Sequence, residues 1–166
     1  MAPVVLTLAE AGDAAAIAEV RNAAATQLTD TYGNGFWTST VSERGVQTSI
    51  RQARVFVARR GARSVATLSM QTRKPWAIDL SYFTPCERPV YLTNMAVAPD
   101  VQRQGIGRTI IEAAIAIARA WPADAIRLDA YDADAGAGGF YLRCGFREVG
   151  KRVYRRVPLR YFEWMI

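Results

Sequence analysis

Apolar and polar residues alternate with two different periods along this chain, and the changes of period mark its elements. Val4 to Leu8 is a run of β-formers, after which Ile17, Val20, Ala24 and Leu28 recur at helical spacing behind Asp13, which is placed as an N-cap. Residues 31–37 mix turn formers with aromatics, and residues 42–51 read as a short helix. Arg54 to Arg60 and residues 64–71 flank Gly61 as the two arms of a hairpin, while residues 76–89 are less regular and hold at most a partial strand. Residues 90–97, Val-Tyr-Leu-Thr-Asn-Met-Ala-Val, form the clearest strand, closed by Pro99-Asp100. From Gly107 the residues Ile110, Ile111, Ala114, Ile115 and Ala118 keep helical spacing until Trp121-Pro122. A strand over Ala125 to Tyr131, a short helix over 137–144 ended by Gly145, and strands over 146–154 and 157–164 complete the order β-α-α-β-β-β-α-β-α-β-β.

With 166 residues, 51% of them hydrophobic and 22% charged, the chain has the size of one globular domain, expected over residues 1–166. No apolar run is long enough to span a bilayer and no basic n-region precedes the first strand, so a cytoplasmic protein is expected. Cys86 and Cys144 stand far apart, outside any metal-ligand spacing, and no metal is expected. The chain contains no histidine, which removes the usual general base and the commonest transition-metal ligand. A net charge of +6 favours anionic partners without choosing among them.

The stretch Gln102-Arg103-Gln104-Gly105-Ile106-Gly107-Arg108 lies where a strand gives way to a helix. Backbone N–H groups converge at such a junction, the helix dipole adds positive potential, and glycines let main chain approach a phosphate. Arg103 and Arg108 add full charges. Ile110 stands where a dinucleotide fingerprint requires a third glycine, and a Walker loop is not satisfied either. On spacing alone, the alternative to a phosphate loop is that the two glycines merely turn the chain into a helix.

Gln102-x-x-Gly105-x-Gly107 directly after a strand ending Met95-Ala96-Val97 resembles the acetyl-CoA loop of the GNAT superfamily of N-acetyltransferases. Asp134, Ala137, Tyr141, Gly145 and Phe146 resemble that superfamily's later Asn-x-x-Ala-x-x-x-Tyr-x-x-x-Gly-Phe block, and the close match covers about residues 90 to 146. The resemblance implies a mixed α/β fold with about seven mostly antiparallel strands, splayed at its centre by a bulge near Asn94 and Met95 and flanked by about four helices. It implies acetyl-CoA as co-substrate, held by Met95, Ala96, Val97, Gln102 to Thr109 (Arg103, Gln104, Gly105, Ile106, Gly107 and Arg108 between them), Asp134 and Tyr141.

An amine must lose a proton before it attacks a thioester, and the departing thiolate is helped by a proton donor. Tyr141 is the candidate general acid by its family position, while on spacing alone Phe140 and Tyr141 could equally be core aromatics of a short helix. Many members of that superfamily carry an acidic residue on the strand where this chain has Thr93 and Asn94, so the base is open between Asp129, Asp79 and a water chain ending at a carboxylate. Tyr32, Phe36, Trp37, Trp76 and Tyr82 fall in irregular segments and, with Asn94, are candidates to line an acceptor pocket, although loop-anchoring is the commoner fate of such aromatics. The expected acceptor is a small-molecule amine or a peptide. A homodimer is allowed for, and neither nucleic acid nor membrane is expected as a partner. A silent acyl-CoA-binding or sensing domain is the alternative that the missing strand carboxylate would favour.

Overall fold

The computed structural model describes residues 1–166. Seven strands form one mixed sheet in the order β1-β2-β3-β4-β5-β7-β6: β1 (Val4–Leu8), β2 (Arg54–Arg60), β3 (Arg63–Gln71), β4 (Pro89–Val97), β5 (Ala125–Tyr131), β6 (Arg147–Tyr154) and β7 (Val157–Met165). Four helices accompany them: α1 (Ala14–Tyr32), α2 (Glu43–Gln52), α3 (Ile106–Ala120) and α4 (Gly138–Arg143). The pairs β1–β2, β2–β3, β5–β7 and β6–β7 are antiparallel, and β4–β5 is parallel. This is the seven-stranded, four-helix architecture that the motif order implied.

The chain divides into two compact units, Met1–Met70 with Asn94–Ala113, and Gln71–Thr93 with Ala114–Ile166. In the first, Ile17 and Ala18 of α1, Val46 of α2 and Val55 and Val57 of β2 make a buried cluster. Ser42 caps α2 by accepting from Gly45 N at 3.0 Å, and Asn22 brackets Val41 by donating to its carbonyl (2.9 Å) and accepting from its amide (2.8 Å). Asp13 stands at the N-cap of α1 as the sequence suggested, but its side chain makes no capping bond to the helix. An extra 3-10 turn, Ala11–Asp13, precedes the helix, and the carboxylate of Asp13 reaches back to Glu10 N at 2.9 Å and pairs with Arg59.

In the second unit, Ile78, Phe83, Tyr91, Leu159 and Tyr161 form a core. Residues 76–88 hold no strand. They contain one 3-10 turn, Leu80–Tyr82, whose Asp79 accepts from Ser81 N at 3.0 Å. Side chains satisfy the backbone here instead of a ladder: Tyr161 Oη donates to Ala77 O, and Glu163 accepts from Thr84 N at 3.0 Å and from Thr84 Oγ1 at 2.6 Å. Arg127 Nη2 donates to Thr84 O at 2.6 Å, and its guanidinium lies 5.2 Å from the Phe83 ring centroid. Both charges are sunk in the protein, Arg127 at 3% exposure and Glu163 at 2%, and Arg147 reaches in from the surface to pair with Glu163. The bonds from Thr84 and Arg147 outweigh desolvation and hold the Glu163 carboxyl below its ordinary value.

Removing one member of such a buried set strands its partners. Glu163→Gln is therefore expected to lower the unfolding free energy by about 3 kcal/mol, read as a shift of the urea midpoint. A midpoint within error of wild type would mean that Glu163 does not anchor the 76–88 segment.

Candidate active site

In the first unit, β4 leads through the 3-10 turn Pro99–Val101 into the loop ahead of α3. Arg103 (φ 61°) and Gly105 (φ 83°) both lie in the left-handed region. A Cβ at Gly105 would meet nothing within 4 Å, so the space before this backbone is open and the glycine is there for its dihedral or for something that approaches it. Arg103, Gln104, Gly105, Arg108 and Thr109 are exposed, Gly107 is half-buried, and Ile106 is buried as the pin that fixes the loop to the core. Gln102 Nε2 donates to Val97 O at 3.0 Å and ties the loop to the strand it leaves. Thr109 Oγ1 donates to Gly105 O at 3.1 Å. The exposed residues 103–105 thus stand at the N-terminus of α3, where the first amides of a helix have no partner within it, the setting in which anions are bound.

Sequence reading missed the side chains that brace this region, because they come from 37 to 73 residues away. Arg60 Nη1 donates to Gln104 Oε1 at 2.8 Å, and Arg63 grips both oxygens of Asp100 at 2.7 Å. Arg21 of α1 donates to Asn94 Oδ1 at 3.2 Å. Asn94 itself is exposed with φ 53°, a left-handed residue inside β4, and it marks the irregularity expected near Asn94 and Met95. Met95, Ala96 and Val97 follow it, half-buried.

In the second unit, the β4–β5 ladder has three rungs, Pro89–Ala125, Val90–Ile126 and Tyr91–Arg127. β5 continues to Tyr131 and pairs with β7 along its whole length. The edge of β5 from Leu128 onward is thus outside the parallel pairing. Asp129 stands opposite Tyr161 on β7 and shares its face of the sheet, half-buried. Desolvation raises its carboxyl above the ordinary carboxylate range.

Tyr141 approaches from α4, 6% exposed, with ring centroids 5.6 Å from Phe146 and 5.9 Å from Phe162. Phe162 stands opposite Leu128, the neighbour of Asp129 that points to the other face. The candidate acid and base therefore flank β5 from its two sides. Burial first, then the nearby Asp129 charge, push the Tyr141 hydroxyl well above its usual value. Gly145 ends α4 at φ 94°, where a Cβ would press on the Trp164 ring. Asp134 is exposed.

The remaining candidates separate by environment. Asp79, the other carboxylate considered as base, is engaged by Ser81 N, by Ser81 Oγ at 2.8 Å and by Arg152; the Ser81 bonds are the main cause of its lowered pKa. Trp37 closes its own turn, its indole N–H donating to Gly33 O at 3.0 Å, and Tyr82 lies edge-on to Tyr161 at 5.3 Å. Tyr32 and Phe36 are exposed in the first unit, and Trp76, 79% exposed, in the second. No group of three or more acidic, Cys or His side chains is gathered as a metal site, and both cysteines are free thiols.

The sequence model of the acetyltransferase (GNAT) family matches residues 19–146, and the chain belongs to that family. No curated protein matches it by sequence. Among solved structures it is similar to the ribosomal-protein-alanine N-acetyltransferase of Brucella melitensis (TM-score 0.73, 19% identity, covering 98% of this chain and 99% of that one). It is also similar to the ribosomal-protein-S18-alanine N-acetyltransferase of Escherichia coli (0.72, 19%, 99% and 94%). YncA of Salmonella typhimurium, solved with its cofactor acetyl-CoA, aligns at 0.70 with 18% identity over 98% and 93%.

A carboxyl whose folded pKa is raised keeps a proton that the unfolded chain has lost, so stability falls as pH rises from the unfolded value through the folded one. Asparagine removes that penalty. Asp129→Asn is expected to raise the thermal midpoint at pH 7 and to leave it close to wild type at pH 3, by calorimetry. A lower midpoint at pH 7 would instead reveal a stabilising partner for the carboxylate.

Proposed function

We propose that the chain acts as a single acyl-CoA N-acyltransferase domain over residues 1–166, transferring acetyl from acetyl-CoA directly to an amine in the cytoplasm. The observation that carries this reading is the exposed, left-handed backbone at Arg103 and Gly105, which presents amides at the start of α3. Open space before Gly105 fits a diphosphate approaching the main chain. Membership of the acetyltransferase family makes coenzyme A the diphosphate concerned.

Bound acetyl-CoA supplies an acyl group on a good leaving thiolate. The amides and side chains of residues 102–109, with Arg103 and Arg108 as charges, hold its diphosphate, and the main chain of Met95, Ala96 and Val97 holds the arm. Asp134 contacts the arm in this reading, as its family position implies. An N–H near Met95 or Ala96 meets the oxyanion as charge develops. Asp129, its basicity raised by desolvation, takes the amine's proton on the Tyr161 face of β5. Tyr141, on the Phe162 face, stays protonated because its pKa lies above that of a free thiol of roughly 8.5. It therefore helps by donating a hydrogen bond to the sulfur. Tyr32, Phe36, Trp37, Trp76 and Asn94 serve the acceptor side. Asp129 is preferred over Asp79 as base because the oxygens of Asp79 are already engaged.

Thiol release from acetyl-CoA, followed with a panel of polyamines, amino acids, aminoglycosides and peptides, tests the activity. Tyr141→Phe is expected to lower kcat roughly 100-fold with little change in the KM for acetyl-CoA, whereas unchanged turnover would remove Tyr141 from the reaction. Gly105→Ala costs about 1 kcal/mol of left-handed strain and displaces the amides, so the KM for acetyl-CoA is expected to rise roughly tenfold at similar kcat. An acetyl-CoA affinity indifferent to this substitution would move the diphosphate elsewhere.

A further inference from the structure

α3 stops ahead of Trp121-Pro122, because a proline inside the helix would remove a donor and clash with the preceding turn. Trp121 N donates to Ala118 O at 3.2 Å and Ala123 N to the same carbonyl at 2.8 Å, so the chain wraps over the helix end before β5 begins. On the neighbouring strand, Pro89 and Val90 open β4 and pair with Ala125 and Ile126. Together these two connections wall a cavity of about 320 Å³ with Pro89, Val90, Trp121, Pro122 and Ala123. Its polar groups are those of Thr72, Glu87 and Arg88. All eight residues belong to the second unit, and none of them takes part in the proposed reaction.

One side of the cavity is pinned by a charge pair that cancels itself. Arg88 N donates to Asp124 Oδ2 at 2.8 Å, its Nη2 donates to Asp124 Oδ1 at 3.1 Å, and Asp124 N donates back to Arg88 O at 2.8 Å. The Arg88 amide, and after it the guanidinium, holds the Asp124 carboxyl below the ordinary carboxylate range, so Asp124 remains the counterion of Arg88. Glu87 is exposed beside them with neither an ion pair nor a side-chain hydrogen bond. The lining therefore carries one uncompensated negative charge, on a chain whose net charge is +6.

These groups restrict what can bind. One carboxylate and one threonine hydroxyl are too few for a metal ion, and no cluster of three or more metal-binding side chains is present. An anion would be repelled by Glu87 and would find Arg88 already engaged. The rest of the lining is apolar, so a ligand that leaves water for this cavity must present carbon to most of it and a positive charge to Glu87. The volume is at the lower end for ligand pockets, which limits the occupant to a small molecule.

We infer that this cavity binds a small organic monocation, an ammonium group on an aliphatic or aromatic body, with Glu87 as its counterion and Pro89, Trp121 and Pro122 against its carbon. Binding here does not depend on the transferase reaction.

Benzyltrimethylammonium is a suitable probe, because its quaternary nitrogen cannot accept an acetyl group. Benzyl alcohol and phenylacetate are its neutral and anionic counterparts. Titration calorimetry on the full chain at low salt is expected to give a Kd for the cation at least tenfold below that for benzyl alcohol, narrowing as salt rises, and no binding of phenylacetate. Glu87→Gln keeps the shape of an exposed side chain and removes its charge. That variant is expected to unfold at the wild-type temperature and to bind the cation no better than the alcohol. In wild type, of the four tryptophan indole N–H resonances, that of Trp121 is expected to move on titration with the cation and that of Trp37 to stay. This second measurement reads the site whether or not the variant folds. Equal affinity for cation and alcohol, cation affinity that survives Glu87→Gln, or a Trp121 resonance that does not move would overturn the inference.

Discussion

The pairing of β4 with β5 stops after three rungs, and Asp129 of β5 lies beyond the last of them. Asn94 takes a left-handed conformation within β4, so the strand cannot keep the regular pleat that a continued ladder requires. β5 has no freedom to follow, because its other edge is locked to β7 from Ala125 to Tyr131.

Holding β5 straight and rigid depends on charges that are costly to bury. Arg127 and Glu163 are cross-strand neighbours, and both turn their hydrogen bonds onto Thr84. A segment with no ladder of its own is thereby fastened across the sheet, leaving Trp76 outside. The contrast with Asp129 is instructive. Glu163 is buried among donors and its carboxyl is held below its ordinary value, whereas desolvation dominates at Asp129 and raises it. One carboxylate serves structure, and the other is the proton acceptor of the proposed reaction.

Alternation along β5 puts Asp129 with Tyr161 and places Tyr141 against Phe162, on opposite faces of the strand. Proton acceptance and hydrogen-bond donation to a leaving sulfur need different pKa values, and separate surroundings supply them. Burial raises both groups, but that makes the aspartate a better base and the tyrosine a more persistent donor. A chain with no histidine can divide acid and base work in this way.

Much of the fold was legible from local pattern: the elements, their order and most of their bounds follow from hydrophobic period, from Gly33, Gly61 and Gly145, and from the breaks at Pro99 and Pro122. There were two exceptions. Asp13 belongs to a 3-10 turn that period alone does not reveal, and residues 76–88 are shaped by Glu163, Arg127 and Tyr161, which lie far along the chain. The glycine loop and the Tyr141 block could be read as candidates because main-chain geometry and short spacings carry their meaning. By itself, then, the sequence determined the elements, the family and the candidate anion loop, since each depends on neighbours within a few residues. Only the tertiary structure decided the braces on that loop from Arg60 and Arg63, the commitment of Asp79 to Arg152, the desolvation of Asp129 and the cavity beside Glu87. Charge, burial and register at those positions are set by residues distant in the chain.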